Sequence, residues 1–265
     1  MKISQISCIK ALSPSKLPGI DYSLNPYRGC EHNCAYCYAP NVLKINRQKW
    51  GDFVDVKINI PLILSKELKM RKPGVVGIST VTDPYQPIEK KFKITRYCLE
   101  QLLKYDYPIN IHTKSSVVVR DIDLISKFSN AEVMVSIATI DDNERQILEP
   151  YSSSIEERLD ILRKFSNAGV RVSVFFGPMY PTIEDEEITE ILQIFTDCGA
   201  SEIMIDKFHI RAGVMESIES ALSKNPDLLE IFSKNILKTE KFHSEFRKKI
   251  KDFSRKNKIY IIDAF

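Results

Sequence analysis

The 265-residue sequence has no apolar run of transmembrane length, no internal repeat and no low-complexity linker. A bilayer span needs about 20 predominantly apolar residues, so a membrane-spanning role is not expected. The opening stretch MKISQISCIKALSPSKLPGI alternates polar and apolar residues. It lacks the apolar segment of about 7–15 residues that a secretory signal requires. A cytoplasmic protein without a membrane partner is the expectation. Cysteine is scarce as well: there are six, and three of them fall between residues 30 and 37. In a reducing compartment a disulfide framework is disfavoured, which leaves metal binding or catalysis to explain the crowding. Cys8, Cys98 and Cys198 are scattered and suggest no second centre. A net charge of +3 selects no partner class.

What the chain does have is one rhythm. Short β-branched runs closing in polar residues, VVGIST (75–80), INIHTKS (109–115), VMVSIAT (133–139), VRVSVFFGP (170–178) and EIMIDKF (202–208), alternate with amphipathic segments. The segments ITRYCLEQLLKY (94–105), DIDLISKF (121–128), SIEERLDILRKFSNAG (154–169) and EDEEITEILQIFTDCG (184–199) carry helical periodicity. Nearly continuous apolar strands suit a parallel sheet covered by helices. With VDVKIN (54–59), or with a short strand before the cysteines, the count reaches about six βα units. An α/β protein with an open or partial barrel is predicted. In such folds reactive groups collect at the carboxyl ends of the strands. Ser79, Thr80, Asp83, Thr113, Lys114, Ser136, Thr139, Asp206 and Lys207 are therefore expected to share one face. His112, inside an apolar strand, is expected to be a core histidine, and Arg145 and Glu149, four apart, an ordinary helical ion pair.

Cys30, Cys34 and Cys37 are spaced Cys-x3-Cys-x2-Cys, which lets one loop present three thiolates to a compact centre. Zinc with His32 as fourth ligand is one occupant, although no second Cys-x2-Cys half-site accompanies it. An iron–sulfur cluster held by three cysteines would leave one iron open to a small molecule. Two classes thus stand side by side: a cluster enzyme, and a zinc-stabilised nucleic-acid-binding protein in which the loop is structural.

The loop NPYRGCEHNCAYCYA, with Tyr36 before the third cysteine, resembles the cluster motif of the radical S-adenosylmethionine (SAM) superfamily. Together with GISTVTDPYQPIE, IHTKSSVVVRDIDLI and RVSVFFGPMYP, it is similar to the spore photoproduct lyase, or DNA repair photolyase-like, branch over about residues 20–208. The resemblance implies a partial (β/α)6 barrel of the TIM type as a core at 1–210, with the cluster loop at 28–40; residues 211–265 resemble nothing specific, and their composition predicts a mostly helical, basic extension packed on that core. It implies one [4Fe–4S] cluster on Cys30, Cys34 and Cys37, with SAM bound near Tyr36, Ser79, Thr80, Lys114 and Ser136. Reductive cleavage of SAM to a 5′-deoxyadenosyl radical would follow, fed by an electron donor such as a flavodoxin or ferredoxin. The substrate first in line is DNA or RNA, as a photolesion or a base to be modified. Where the lyase returns hydrogen from a cysteine near the end of its second strand, this chain reads Ser79-Thr80-Val81-Thr82. Tyr36 or Tyr38 would then donate hydrogen, or the reaction would be a different one.

One compositional shift remains. Residues 234–258 hold ten Lys or Arg against three Asp or Glu. Phe242, Phe246, Ile250 and Phe253 recur there at helical spacing, predicting a helix docked by its apolar side with its basic side outward. That basic side is either solvated surface or a phosphate-binding face. KIYIIDAF (258–265) is expected to close the chain as a strand or extended tail.

Overall fold

Extended segments open the chain: β1 (Lys2–Ile6), β2 (Leu12–Pro14), β3 (Tyr22–Leu24) and β4 (Tyr27–Arg28) precede the cysteine loop. The computed structural model describes the whole chain apart from residues 185, 237, 238 and 265 and the side chains of 239–246. After the loop come α1 (Ala39–Leu43), a 3-10 turn (Arg47–Lys49), β5 (Phe53–Lys57) and α2 (Ile60–Leu68). Strands and helices then alternate: β6 (Val76–Ile78), α3 (Glu89–Phe92), α4 (Ile94–Leu103), β7 (Ile109–Thr113), α5 (Ile122–Ile125), β8 (Ala131–Ser136), α6 (Asp142–Leu148), α7 (Ile155–Asn167), β9 (Arg171–Phe176), α8 (Ile188–Asp197) and β10 (Glu202–Ile205). The chain finishes with α9 (Val214–Leu222), α10 (Pro226–Ile236), α11 (Thr239–Asn257) and β11 (Tyr260–Asp263).

Strands β3, β6, β7, β8, β9 and β10 lie side by side, all parallel, in the centre of one eight-stranded sheet. These are the six strands of an open (β/α)6 arrangement, with β2 antiparallel at one edge and β11 parallel to β10 at the other. The first of the six is thus the short strand before the cysteines. VDVKIN supplies β5, which pairs with β1 and β4 in a separate three-stranded sheet. The last residues return as β11 to the edge of the main sheet, so the terminal helices are bracketed by strands of that sheet.

Alternation sets two environments. Ile111, Val133, Val135, Val172, Val174 and Phe176 pack in the core with Leu159, Leu162 and Phe165 of α7 and Leu192 and Phe195 of α8. Residues between them along the strands point the other way, and several are polar. Asn110 (Nδ2, 3.0 Å) and Arg171 (Nη2, 2.9 Å) donate to the Glu132 carboxylate, as does the Ser173 hydroxyl, so buried charge near the strand starts is answered. The half-buried His112 lies on this inner side against Phe175, with ring centroids 6.5 Å apart. Burial pulls its pKa down to about 4 and keeps the imidazole neutral.

Helix α7 owes its start to a capping box: Ser154 Oγ accepts from the Glu157 N–H at 3.2 Å, and the Glu157 carboxylate accepts from the Ser154 N–H at 2.9 Å. That start puts Arg158 one turn into the helix, from where it reaches back to the end of β8. Of the apolar residues expected to dock α11, Ile250 and Phe253 are buried, while the side chains of Phe242 and Phe246, like Lys238, lie outside the described residues. Among the described residues no helix is long and apolar enough to cross a membrane.

Candidate metal centre

The loop carrying Cys30, Cys34 and Cys37 sits over the carboxyl ends of β6, β7 and β8, and hydrogen bonds fasten it there. Asp83, just beyond β6, accepts from Thr113 Oγ1 at 2.8 Å, the Lys114 N–H at 2.7 Å and the Tyr85 N–H at 2.8 Å. His32 from the loop lies against the same carboxylate, Nδ1 to Oδ2 3.4 Å. Burial lowers the His32 pKa despite Asp83, so the ring is neutral. Gln86 accepts from the Glu31 N–H at 2.9 Å and donates to the Gly29 carbonyl at 3.3 Å. The Glu31 carboxylate returns the contact by accepting from the Ile88 N–H. Gly29 has φ +85, and a Cβ there would stand 2.3 Å from the Phe53 carbonyl oxygen, so no side chain fits at the loop entrance.

All three cysteines are free thiols, Cys30 and Cys34 buried and Cys37 half-buried. Burial pushes each thiol pKa up, reinforced by Asp83 at Cys30 and by Glu149 at Cys34, while Lys114 draws Cys34 and Cys37 back. Thiols so placed keep their protons unless a cation takes over the sulfur, which is the donor chemistry of a metal centre. Among the described residues no three His, Cys, Asp or Glu side chains close around a single point.

Beside Cys34 stands a charged node that sequence spacing does not reveal. Glu149 is 1% exposed and Arg158 fully buried, and their side chains pair. Arg158 also donates to the Ser153 carbonyl at 3.0 Å, the Ser136 carbonyl at 2.9 Å and the Ser152 hydroxyl. Tyr36 donates its hydroxyl to Glu149, and Lys114 Nζ lies 3.7 Å from Glu149 Oε1 and 5.7 Å from the Tyr36 ring centroid. Tyr180 packs edge-on against Tyr36, 5.5 Å between centroids. Burial opposes the charge on Glu149, but Arg158 and Lys114 together hold its pKa down at about 2. Two cations against one carboxylate leave the node with one positive charge facing the cysteine loop.

The Arg145–Glu149 pair expected from their spacing does not form between side chains. Helix α6 ends at Leu148, and Glu149 has φ −136 and ψ 60, which turns its side chain off the helix surface and inward. Arg145 instead grips Asp142 through two contacts of 2.9 Å.

The remaining expected residues separate into two groups. Thr80 is committed to the framework: its N–H donates to Asn25 Oδ1 at 3.0 Å and its carbonyl accepts from Tyr38 Oη at 2.8 Å. Tyr38 is 46% exposed, with Arg211 stacked 5.7 Å from its ring centroid. Ser79 differs: it is 4% exposed, takes a left-handed φ of 62, and its Oγ is buried without a partner. Thr82 Oγ1, which the sequence did not single out, is likewise buried without a partner. Unanswered buried hydroxyls past the end of β6 have hydrogen bonds to give to a bound molecule. Lys114 is 15% exposed, and Ser136, the last residue of β8, is 8% exposed. Asp206 pairs with His209 at 3.1 Å just past the end of β10.

A family model described as the Radical SAM superfamily matches residues 24–195. An uncharacterized protein of Methanocaldococcus jannaschii is 40% identical over 189 residues, 71% of each chain. The Radical SAM Nalpha-GlyT isomerase of Pseudomonas phage M6 is 23% identical over 183 residues, 68% of this chain and 38% of its own. Among solved structures, a spore photoproduct lyase variant with bound AdoMet and dinucleoside spore photoproduct superposes with a TM-score of 0.67 at 19% identity, covering 84% of this chain and 66% of the lyase. Streptococcus suis SuiB bound to precursor peptide SuiA gives a TM-score of 0.57 at 11% identity, over 100% of this chain and 48% of SuiB. The chain therefore spans less than two thirds of either solved neighbour. With the family model covering well over half of its residues, this chain belongs to the radical SAM superfamily.

Proposed function

We propose that the protein is a radical SAM enzyme that holds one [4Fe–4S] cluster on Cys30, Cys34 and Cys37 and binds SAM between that loop and the strand ends of β6, β7 and β8. The observation that carries this is the juxtaposition of three free thiols, two of them buried, with the Lys114–Glu149–Arg158 node and the orphaned hydroxyls of Ser79 and Thr82. When bound, the cluster and SAM would supply a 5′-deoxyadenosyl radical able to abstract hydrogen from an unactivated carbon. The chain's own residues bind and orient. Lys114 presents a compact positive charge to the SAM carboxylate. Ser79, Thr82 and Ser136 offer hydroxyls at the rim. Tyr36, tethered by Glu149, walls the pocket with its ring, and Tyr38 stands nearer solvent as a hydrogen donor.

Lys114→Ala is expected to keep its iron but bind SAM roughly tenfold or more weakly, the loss of a charge-assisted hydrogen bond being about 1.5–3 kcal/mol. Ser136→Ala is expected to weaken SAM binding less, with iron likewise retained. Calorimetric titration of the anaerobically reconstituted variants checks this. Affinities equal to the parent would remove both residues from the cofactor site.

For substrate we propose a nucleic acid. The lyase neighbour was solved with a dinucleoside photoproduct, and Lys248, Lys251, Arg255, Lys256 and Lys258 are exposed on and just beyond α11. Arg247 is paired with Asp263 at 2.9 Å and ties α11 to β11 instead. Neutralising Lys248, Lys251 and Lys256 together should flatten the dependence of log affinity on log salt, by about 0.9 for each phosphate left without its lysine on a duplex and about 0.7 on a single strand. Iron content and SAM affinity should stay as in the parent. An unchanged salt slope would direct the search to peptides, which the SuiB neighbour binds.

A further inference from the structure

The cysteine loop is also gripped from its outer side, by a segment that carries no recognisable motif. Arg47 donates through Nη2 to the Cys37 carbonyl at 2.7 Å and to Asn41 Oδ1 at 2.8 Å. Three residues on, Trp50 is 4% exposed and packs with Cys30 and Ala39 in a small apolar group against which Cys37 also lies. Gly51 follows with φ +88, where a Cβ would fall 2.3 Å from Asn33 Cγ of the cysteine loop. Residues 47–51 therefore form a strap seated directly on the loop. Trp50 is the chain's single tryptophan, and its indole Nε1 is buried with no hydrogen-bond partner. A buried donor left unanswered is costly, and the apolar group that holds it contains Cys30 and is met by Cys37.

We propose that Trp50 is a positioning residue of the metal centre: its unanswered indole N–H serves the Cys37 sulfur once iron has displaced the thiol proton, and so favours the reduced, more negative cluster. Hydrogen bonds to ligand sulfurs are among the determinants of iron–sulfur potentials, and outer partners of this kind orient the ligand as well. The inference rests on the cluster proposed above, and concerns its potential rather than its presence.

Two measurements test it without reference to turnover. Because Trp50 is the only tryptophan, its emission reports the strap alone. Loading the apoprotein with iron and sulfide should quench that emission several-fold, and unchanged emission would remove Trp50 from the centre. The second is a reductive titration followed by electron paramagnetic resonance. Trp50→Phe removes the donor, and biosynthetic replacement of the sole tryptophan by its benzothienyl analogue removes the N–H while keeping the shape. Both should retain iron, and the analogue protein should be harder to reduce by roughly tenfold in equilibrium, about 59 mV for a one-electron couple. An iron-loaded analogue protein with the parent's midpoint overturns this inference alone. A parent that takes up no iron overturns it together with the proposed function.

Discussion

Cys34→Ala protein is expected to purify with most of its iron gone and to cleave no SAM. Cys34 is buried and feels the Glu149 carboxylate, so its removal takes one of three thiolates and leaves a pocket where water is a poor substitute. Equivalent losses are expected for Cys30→Ala and Cys37→Ala. Cys98→Ala is the control: Cys98 is fully buried in α4, packs among apolar side chains, and its loss should leave iron and SAM cleavage intact. Iron and sulfide assay of the four proteins after identical anaerobic reconstitution checks the set. Full iron in Cys34→Ala would end the assignment.

Glu149→Ala is expected to be the most damaging single change outside the cysteines. It strands Arg158, which has no exposure and whose other contacts are two carbonyls and one hydroxyl. Leaving one partner of a buried pair uncompensated costs about 3–5 kcal/mol, a large share of the stability of a typical domain. Chemical denaturation of the apoprotein reads this loss directly. The same node predicts a pH dependence. The folded-state pKa of Glu149 is about 2, below its ordinary value, so its charge stabilises the fold above the usual carboxylate range. That contribution should fade as pH falls through the ordinary value toward 2, and Glu149→Gln should lack this part of the acid sensitivity. An acid profile identical in parent and Glu149→Gln would show that the carboxylate is not the group titrating.

The sequence announces the cysteine loop because three cysteines at fixed short spacing lie on one local segment, and it announces the strands because period-two and apolar runs are local too. The strand-end residues Asp83, Thr113 and Lys114 were legible as a shared face for the same reason, once a parallel sheet was inferred. The node was not. Tyr36 and Glu149 are 113 residues apart, and Glu149 reaches the site only because α6 ends one residue earlier. Arg158 looked like one polar position of an amphipathic helix, yet the capping box at Ser154 turns it inward onto β8. Trp50 and Thr82 carry no pattern of their own, and their importance lies in a buried donor and a buried hydroxyl that the rest of the chain leaves unanswered.

Strain tells the same story at Ser79. A serine with φ 62 at a strand end is uncommon, and together with its unpartnered Oγ it marks the place where local preference yields to the site. Neither property follows from VVGIST as a string, which reads only as a strand closing in polar residues.

The decisive measurement is chromatography of a single reaction: the anaerobically reconstituted protein, reduced with dithionite in the presence of SAM, with and without oligonucleotides. 5′-Deoxyadenosine and methionine should appear in equal amounts from a brown, iron- and sulfide-containing protein, and should vanish in the Cys34→Ala protein. A colourless protein holding stoichiometric zinc and leaving SAM intact would instead establish the cysteine loop as a structural zinc site.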